Sequence, residues 1–163
     1  MNKVVDRIGS ICKVAPRVAF LGVGSPLRAD DSVGLHIVES LQQTLKPTPD
    51  QEFQFFLGES APENFSGAIR VFGPTHLLIF DAADLNLDPG SFALIEEEQI
   101  GGISFSTHML PLKILTAYLT ATTSCEVVVV GVQPKMMEFA YPMTPEVRQA
   151  ADQFISRIQT AVN

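Results

Sequence analysis

Hydrophobic and polar positions switch between two periods along this chain, and each change of period marks an element. Val18 to Val23 is a short run that is apolar on both faces and is stopped by Gly24 and Pro26. Such a run suits a strand inside a parallel sheet, which is covered on both sides. Val33, Ile37, Val38, Leu41 and Leu45 then recur at helical spacing, with Asp30 or Asp31 placed to cap the start. Phe53 to Leu57 predicts a second strand, and Glu63 to Phe72 a short helix closed by Gly73-Pro74. His76 to Phe80 predicts a third strand, and Ser91 to Ile95, after the turn Asp88-Pro89-Gly90, a fourth. Pro111 to Leu119 reads as a helix with its proline tolerated in the first turn. Val127 to Val132, five valines around one glycine, predicts a central fifth strand. Thr144-Pro145-Glu146 opens a last helix, with Thr144 as its cap and Val147, Ala151, Phe154, Ile158 and Val162 as its buried face.

The resulting order, β-α-β-α-β-β-α-β-α, has no repeats and no internal linker. It predicts one α/β domain, a twisted and mostly parallel five-stranded sheet with helices on both faces. The first sixteen residues carry mixed charge and no convincing period. They are expected to be a loosely attached extension (1–16), with the domain proper spanning 17–163.

Composition narrows the function classes. A chain of 163 residues with 46% hydrophobic and 18% charged residues can bury a core and is not a disordered tail. No apolar run approaches the roughly 20 residues that cross a bilayer. The N-terminus lacks the apolar stretch of a signal peptide, so a cytoplasmic location is expected. A net charge of −7, from 18 acidic and 11 basic residues, argues against a nucleic-acid binder. Cys12 and Cys125 stand far apart, which speaks against a disulfide scaffold, a zinc knuckle and a thioredoxin-type site.

In sheets of this kind, sites form at the carboxyl ends of strands. The first strand runs into a loop ending in Asp30-Asp31, the third ends on Asp81, and the loop after the fourth carries Ser106-Thr107-His108. Two carboxylates and an imidazole would converge there, a donor set that suits a divalent transition metal. Each residue also has a plainer reading. Asp31 would cap a helix, Asp81 would hydrogen-bond a loop, and His108 would be a satisfied loop histidine. His36 and His76 read as structural or solvated. Gly22-Val23-Gly24 lacks the third glycine of a dinucleotide fingerprint, Leu27 standing in its place. The chain has no GxSxG elbow and no P-loop motif.

The ordered set of motifs resembles the hydrogenase maturation endopeptidases. It comprises Gly22-Val23-Gly24-Ser25 with Asp30-Asp31, Ser60-Ala61-Pro62-Glu63-Asn64, Asp81-Ala82-Ala83-Asp84 and Thr107-His108-Met109-Leu110-Pro111-Leu112. It continues with Gly131-Val132-Gln133-Pro134 and Tyr141-Pro142-Met143-Thr144. The likeness covers about Val18 to the C-terminus and is nearest to the subgroup serving the formate-hydrogenlyase type of [NiFe] hydrogenase. It implies a cytoplasmic protease that removes a C-terminal extension from the precursor of the hydrogenase large subunit after nickel insertion; apart from the resemblance, a monomer is expected. The family's nickel-recognition positions fall on Asp31, Asp81 and His108, with the nickel carried by the precursor; Asp31 and Asp81 are the expected catalytic residues, with either a carboxylate or the metal activating the water. Relatives commonly show Asp-Gly-Gly where this chain has Leu57-Gly58-Glu59, which changes the local shape of the cleft. Two other classes share these residues or this fold: a nickel-binding maturation chaperone without proteolytic activity, and a nucleotide- or small-ligand-binding α/β domain.

Overall fold

The five predicted strands are present and share one sheet: β1 (Arg17–Val23), β2 (Glu52–Glu59), β3 (His76–Asp84), β4 (Phe92–Ile95) and β6 (Glu126–Val132). The computed structural model describes residues 1–95, 104–105 and 109–162. Strand order is β2-β1-β3-β6-β4; the first four are parallel, and β4 lies antiparallel on the edge. The valine strand β6 has a partner on each side, as its two-faced apolar run requires. A two-residue strand that the pattern does not predict, β5 (Ser104–Phe105), pairs antiparallel with the last two residues of β3.

Side-chain alternation sorts the core into two layers. Val18, Phe20, Leu78, Phe80, Val130 and Val132 pack with α2 (Val33–Thr44) and α5 (Pro145–Val162). Ala19, Leu21, Leu77, Ile79 and Val129 face α3 (Ser66–Phe72) and α4 (Met109–Thr122). Phe154 ties α5 to the sheet, its ring edge-on to Phe80 at 5.9 Å and stacked on Phe92 at 4.7 Å. Among the described residues no helix is long and apolar enough to cross a membrane.

Two expectations are corrected here. Residues 1–16 are not loosely attached, because Asn2–Val14 form a helix, α1, whose Val4, Val5, Ile8, Ile11 and Cys12 are buried in the same core as α2 and α5. Its charges, Lys3, Asp6, Arg7 and Lys13, occupy the opposite, exposed face, so mixed charge accompanies an amphipathic stripe rather than replacing one. Likewise β3 does not end on Asp81 but runs on to Asp84. Its ladder with β1 stops at Gly22 opposite Phe80, whereas its ladder with β6 continues through Asp81 opposite Gly131 and Ala82 opposite Val132. Asp81 is thus the first residue of β3 beyond the reach of β1. The chain leaves β1 for β2 on one side and returns to β3 on the other, so the crevice of an open α/β sheet opens there.

Candidate active site

Glycines build the turn that enters this crevice. At Gly34 a Cβ would stand 2.2 Å from the Phe80 carbonyl oxygen and 2.5 Å from that of Val23, so a hydrogen there lets α2 press onto the ends of β1 and β3. Gly24 adopts φ +131°, and a Cβ on it would reach within 1.7 Å of the Asp31 carbonyl oxygen. The turn therefore folds onto itself, and the Ser25 amide donates to Asp31 Oδ2 at 3.1 Å. A 3-10 turn, Ala29–Ser32, carries Asp30 and Asp31 into the interior, both fully buried. Neither aspartate caps α2, because the N-cap is Ser32 and it makes no side-chain capping bond.

Asp31 and Asp81 come together here. The 3-10 turn packs on β3, and Asp81 is likewise fully buried. Neither oxygen of Asp81 makes a hydrogen bond of ordinary geometry with a described residue. Burial pushes its carboxyl well above the usual carboxylate range, the Asp31 carboxylate adds repulsion, and the Ala82 amide offsets part of both. A buried carboxyl with no hydrogen bond of ordinary geometry among the described residues calls for a purpose, since buried polar groups are almost always paired. The third predicted donor, His108, lies outside the described residues. Among the described residues no three of His, Cys, Asp and Glu form a metal-binding cluster.

The neighbouring aspartate does different work. Asp30 Oδ1 accepts the Thr144 amide at 2.7 Å, while Oδ2 accepts the amides of Lys135 at 2.8 Å and Met136 at 3.0 Å and the Thr144 hydroxyl at 3.0 Å. It pins the β6–α5 connection beside the crevice. The Thr144 hydroxyl accordingly donates to Asp30, and the start of α5 is marked instead by the Arg148 amide donating to the Thr144 carbonyl at 2.9 Å. Gln133 clamps the neighbouring loop, with Oε1 accepting the amides of Leu85 at 2.7 Å and Leu87 at 3.2 Å. Sequence reasoning assigned no role to Gln133 and treated Asp30 only as a capping alternative to Asp31. The available signal for Gln133 was a polar side chain directly after the apolar run Val127 to Val132.

Other singled-out residues lie elsewhere. His36 is half-buried on α2 and pairs with Asp152 Oδ1 at 2.7 Å, and His76 stands at the opposite end of β3, 3.4 Å from Glu126 Oε2. Burial pushes the thiols of Cys12 and Cys125 up to about 12 and about 11, which leaves both inert near neutral pH. At the departure Leu57-Gly58-Glu59 the register with β1 slips, Leu57 facing Gly22 and Glu59 facing Val23. Glu59 takes the left-handed φ of +48°, and its carbonyl accepts the Gly24 amide at 3.0 Å. It borders two clefts, one with His36, Glu39 and Met143 and the other with Ser60 and Asn64.

The comparisons with known proteins agree with this geometry. Residues 35–161 match the family model described as hydrogenase maturation protease. The chain is 34% identical over 141 residues to the hydrogenase 3 maturation protease of Escherichia coli K12, covering 86% of this chain and 87% of that protein. The crystal structure of the [NiFe] hydrogenase maturation protease HycI from Thermococcus kodakarensis KOD1 superposes with a TM-score of 0.83 at 25% identity, covering 96% of this chain and 98% of that one. The solution structure of the endopeptidase HycI from Escherichia coli gives 0.71 at 32% identity, covering 88% and 89%. A fold with its crevice at the β1/β3 switch and a matching sequence over most of its length make this chain a member of the hydrogenase maturation protease family.

Proposed function

We propose that this peptidase removes the C-terminal extension from the precursor of a [NiFe] hydrogenase large subunit, and that it recognises the nickel the precursor already carries. The observation that carries this reading is Asp81: a fully buried carboxyl, with no hydrogen bond of ordinary geometry among the described residues, beside Asp31 in the crevice of a protease fold. Asp31, Asp81 and His108 are the ligands offered to the metal of the incoming precursor. Binding takes the proton off Asp81, since a carboxyl must be deprotonated to ligate. Holding the metal places the scissile peptide in the cleft, and orientation of this kind supplies much of the acceleration. An empty precursor lacks the anchor and is left uncut.

The proton held at Asp81 also favours a second chemistry at the same residues. Two neighbouring carboxyls that share a proton are the arrangement by which aspartic peptidases activate water. In that case Asp31 takes the proton of the attacking water while Asp81 donates to the peptide carbonyl, and nickel serves recognition alone.

The test is the cleavage rate of the cognate precursor with Asp31→Asn, Asp81→Asn and His108→Ala. Each substitution is expected to slow cleavage by about 100-fold or more, the usual scale for loss of an acid–base or metal-positioning group. Normal processing by all three variants would show that the site has been assigned to the wrong residues.

A further inference from the structure

We propose that the loops around Leu27 and Phe139–Tyr141 form a preorganised apolar surface on which the precursor polypeptide docks beside the scissile bond. The inference rests on the protease reading and extends it from the reacting residues to the surface that selects the substrate.

Leu27, Phe139 and Tyr141 are 59%, 67% and 55% exposed. They stand on two segments that hydrogen-bond to each other: the Ala140 amide donates to the Leu27 carbonyl at 2.8 Å, and the Ala29 amide to the Tyr141 carbonyl at 3.0 Å. The Arg28 guanidinium adds bonds to the Met137 carbonyl at 3.2 and 3.3 Å. Beneath them Asp30 holds Lys135, Met136 and Thr144. Two aromatic residues and a leucine are thereby kept in water on a fixed backbone. Val14 on α1 and Val71 on α3 are single exposed apolar residues, and Ile114 and Tyr118 are neighbours one turn apart on α4, away from this pair of loops.

Exposed apolar clusters of this kind mark interaction sites, and aromatic anchors on a rigid backbone bind with little ordering cost. The occupant follows from continuity. Tyr141 bonds to Ala29, which opens the 3-10 turn holding Asp31. A polypeptide whose scissile bond lies over Asp31 and Asp81 therefore passes this surface, and an apolar stretch of that polypeptide is what the surface fits.

The experiment measures binding and cleavage separately on the full chain. Affinity for purified precursor is compared for wild type, Leu27→Ser, the double variant Phe139→Ser with Tyr141→Ser, and Val71→Ser as a control elsewhere on the surface. The expected result is binding about tenfold weaker or worse in the patch variants, with melting temperature and the control unchanged, on the scale of interface anchors. In cleavage the loss is expected in KM rather than in kcat. Unchanged affinity, or an equal loss in the control, overturns the proposal. So does a wild-type dimer that the patch variants dissociate, because the surface then serves self-association. A wild-type chain that binds precursor through this patch without cutting it supports the surface and refutes the protease reading instead.

Discussion

Asp30 and Thr144 meet twice, the carboxylate accepting the Thr144 amide at 2.7 Å and its hydroxyl at 3.0 Å. This contact separates two adjacent aspartates that look interchangeable in the sequence. Asp30 closes its hydrogen bonds inside the protein and fixes the loop over the crevice, whereas Asp31 lies against Asp81. One is structural, and the other belongs to the proposed chemistry.

Replacing Asp30 with alanine strands the buried amide and hydroxyl of Thr144 and the partly buried amides of Lys135 and Met136. Hydrogen bonds to a charged group contribute about 1.5–3 kcal/mol each, and an unmet donor adds its own cost, so a loss of about 3 kcal/mol or more is expected. For a chain of this size that corresponds to a melting temperature lower by roughly 6–12 °C. Thermal unfolding of Asp30→Ala checks it; a loss below about 1 kcal/mol contradicts the anchoring role.

Asp81 makes the opposite prediction. Its carboxyl binds the proton more tightly in the native state than in the unfolded chain, where the ordinary value is about 3.9. Below about pH 4 both states keep the proton, and the group contributes its full stability. As the pH rises from there toward the raised native value, the unfolded chain releases the proton first and stability is lost. Asp81→Asn removes that loss, so the variant should melt higher than wild type at pH 7 and approach it as the pH falls toward 4, while losing cleavage. A variant that melts lower than wild type at pH 7 contradicts the account.

Glu59 holds a left-handed backbone that costs an L residue about 1–2 kcal/mol and glycine little. Glycine also gives more freedom to the unfolded chain, so the net gain of Glu59→Gly is about 1 kcal/mol or less. A melting temperature higher by up to about 2–4 °C is expected. A fall would mean that the Glu59 side chain stabilises the turn by contacts stronger than the strain.

Most of the fold was legible because the central strands β1, β3 and β6 are apolar on both faces and most helices carry regular stripes. The N-terminal helix was missed although Val4, Ile8, Ile11 and Cys12 have helical spacing, because Lys3, Asp6, Arg7 and Lys13 between them read as noise. Asp81 was found for a sound reason but placed one step wrong. A polar residue after an apolar run suggests a strand end, and here the β3–β6 ladder carries the strand past it. Pairing between distant strands leaves no local mark at Asp81. The division of labour between Asp30 and Asp31 was illegible for a related reason, since the partners of Asp30 are more than 100 residues away along the chain. The nickel reading came from family resemblance; the residues themselves indicated only a divalent metal.

The most direct test of the central claim is mass spectrometry of nickel-loaded and nickel-free precursor large subunit, each incubated with this protein. The account predicts loss of the C-terminal extension from the nickel-loaded precursor alone. Equal cleavage of both would keep the protease and refute recognition through nickel, and cleavage of neither cognate precursor would contradict the account as a whole.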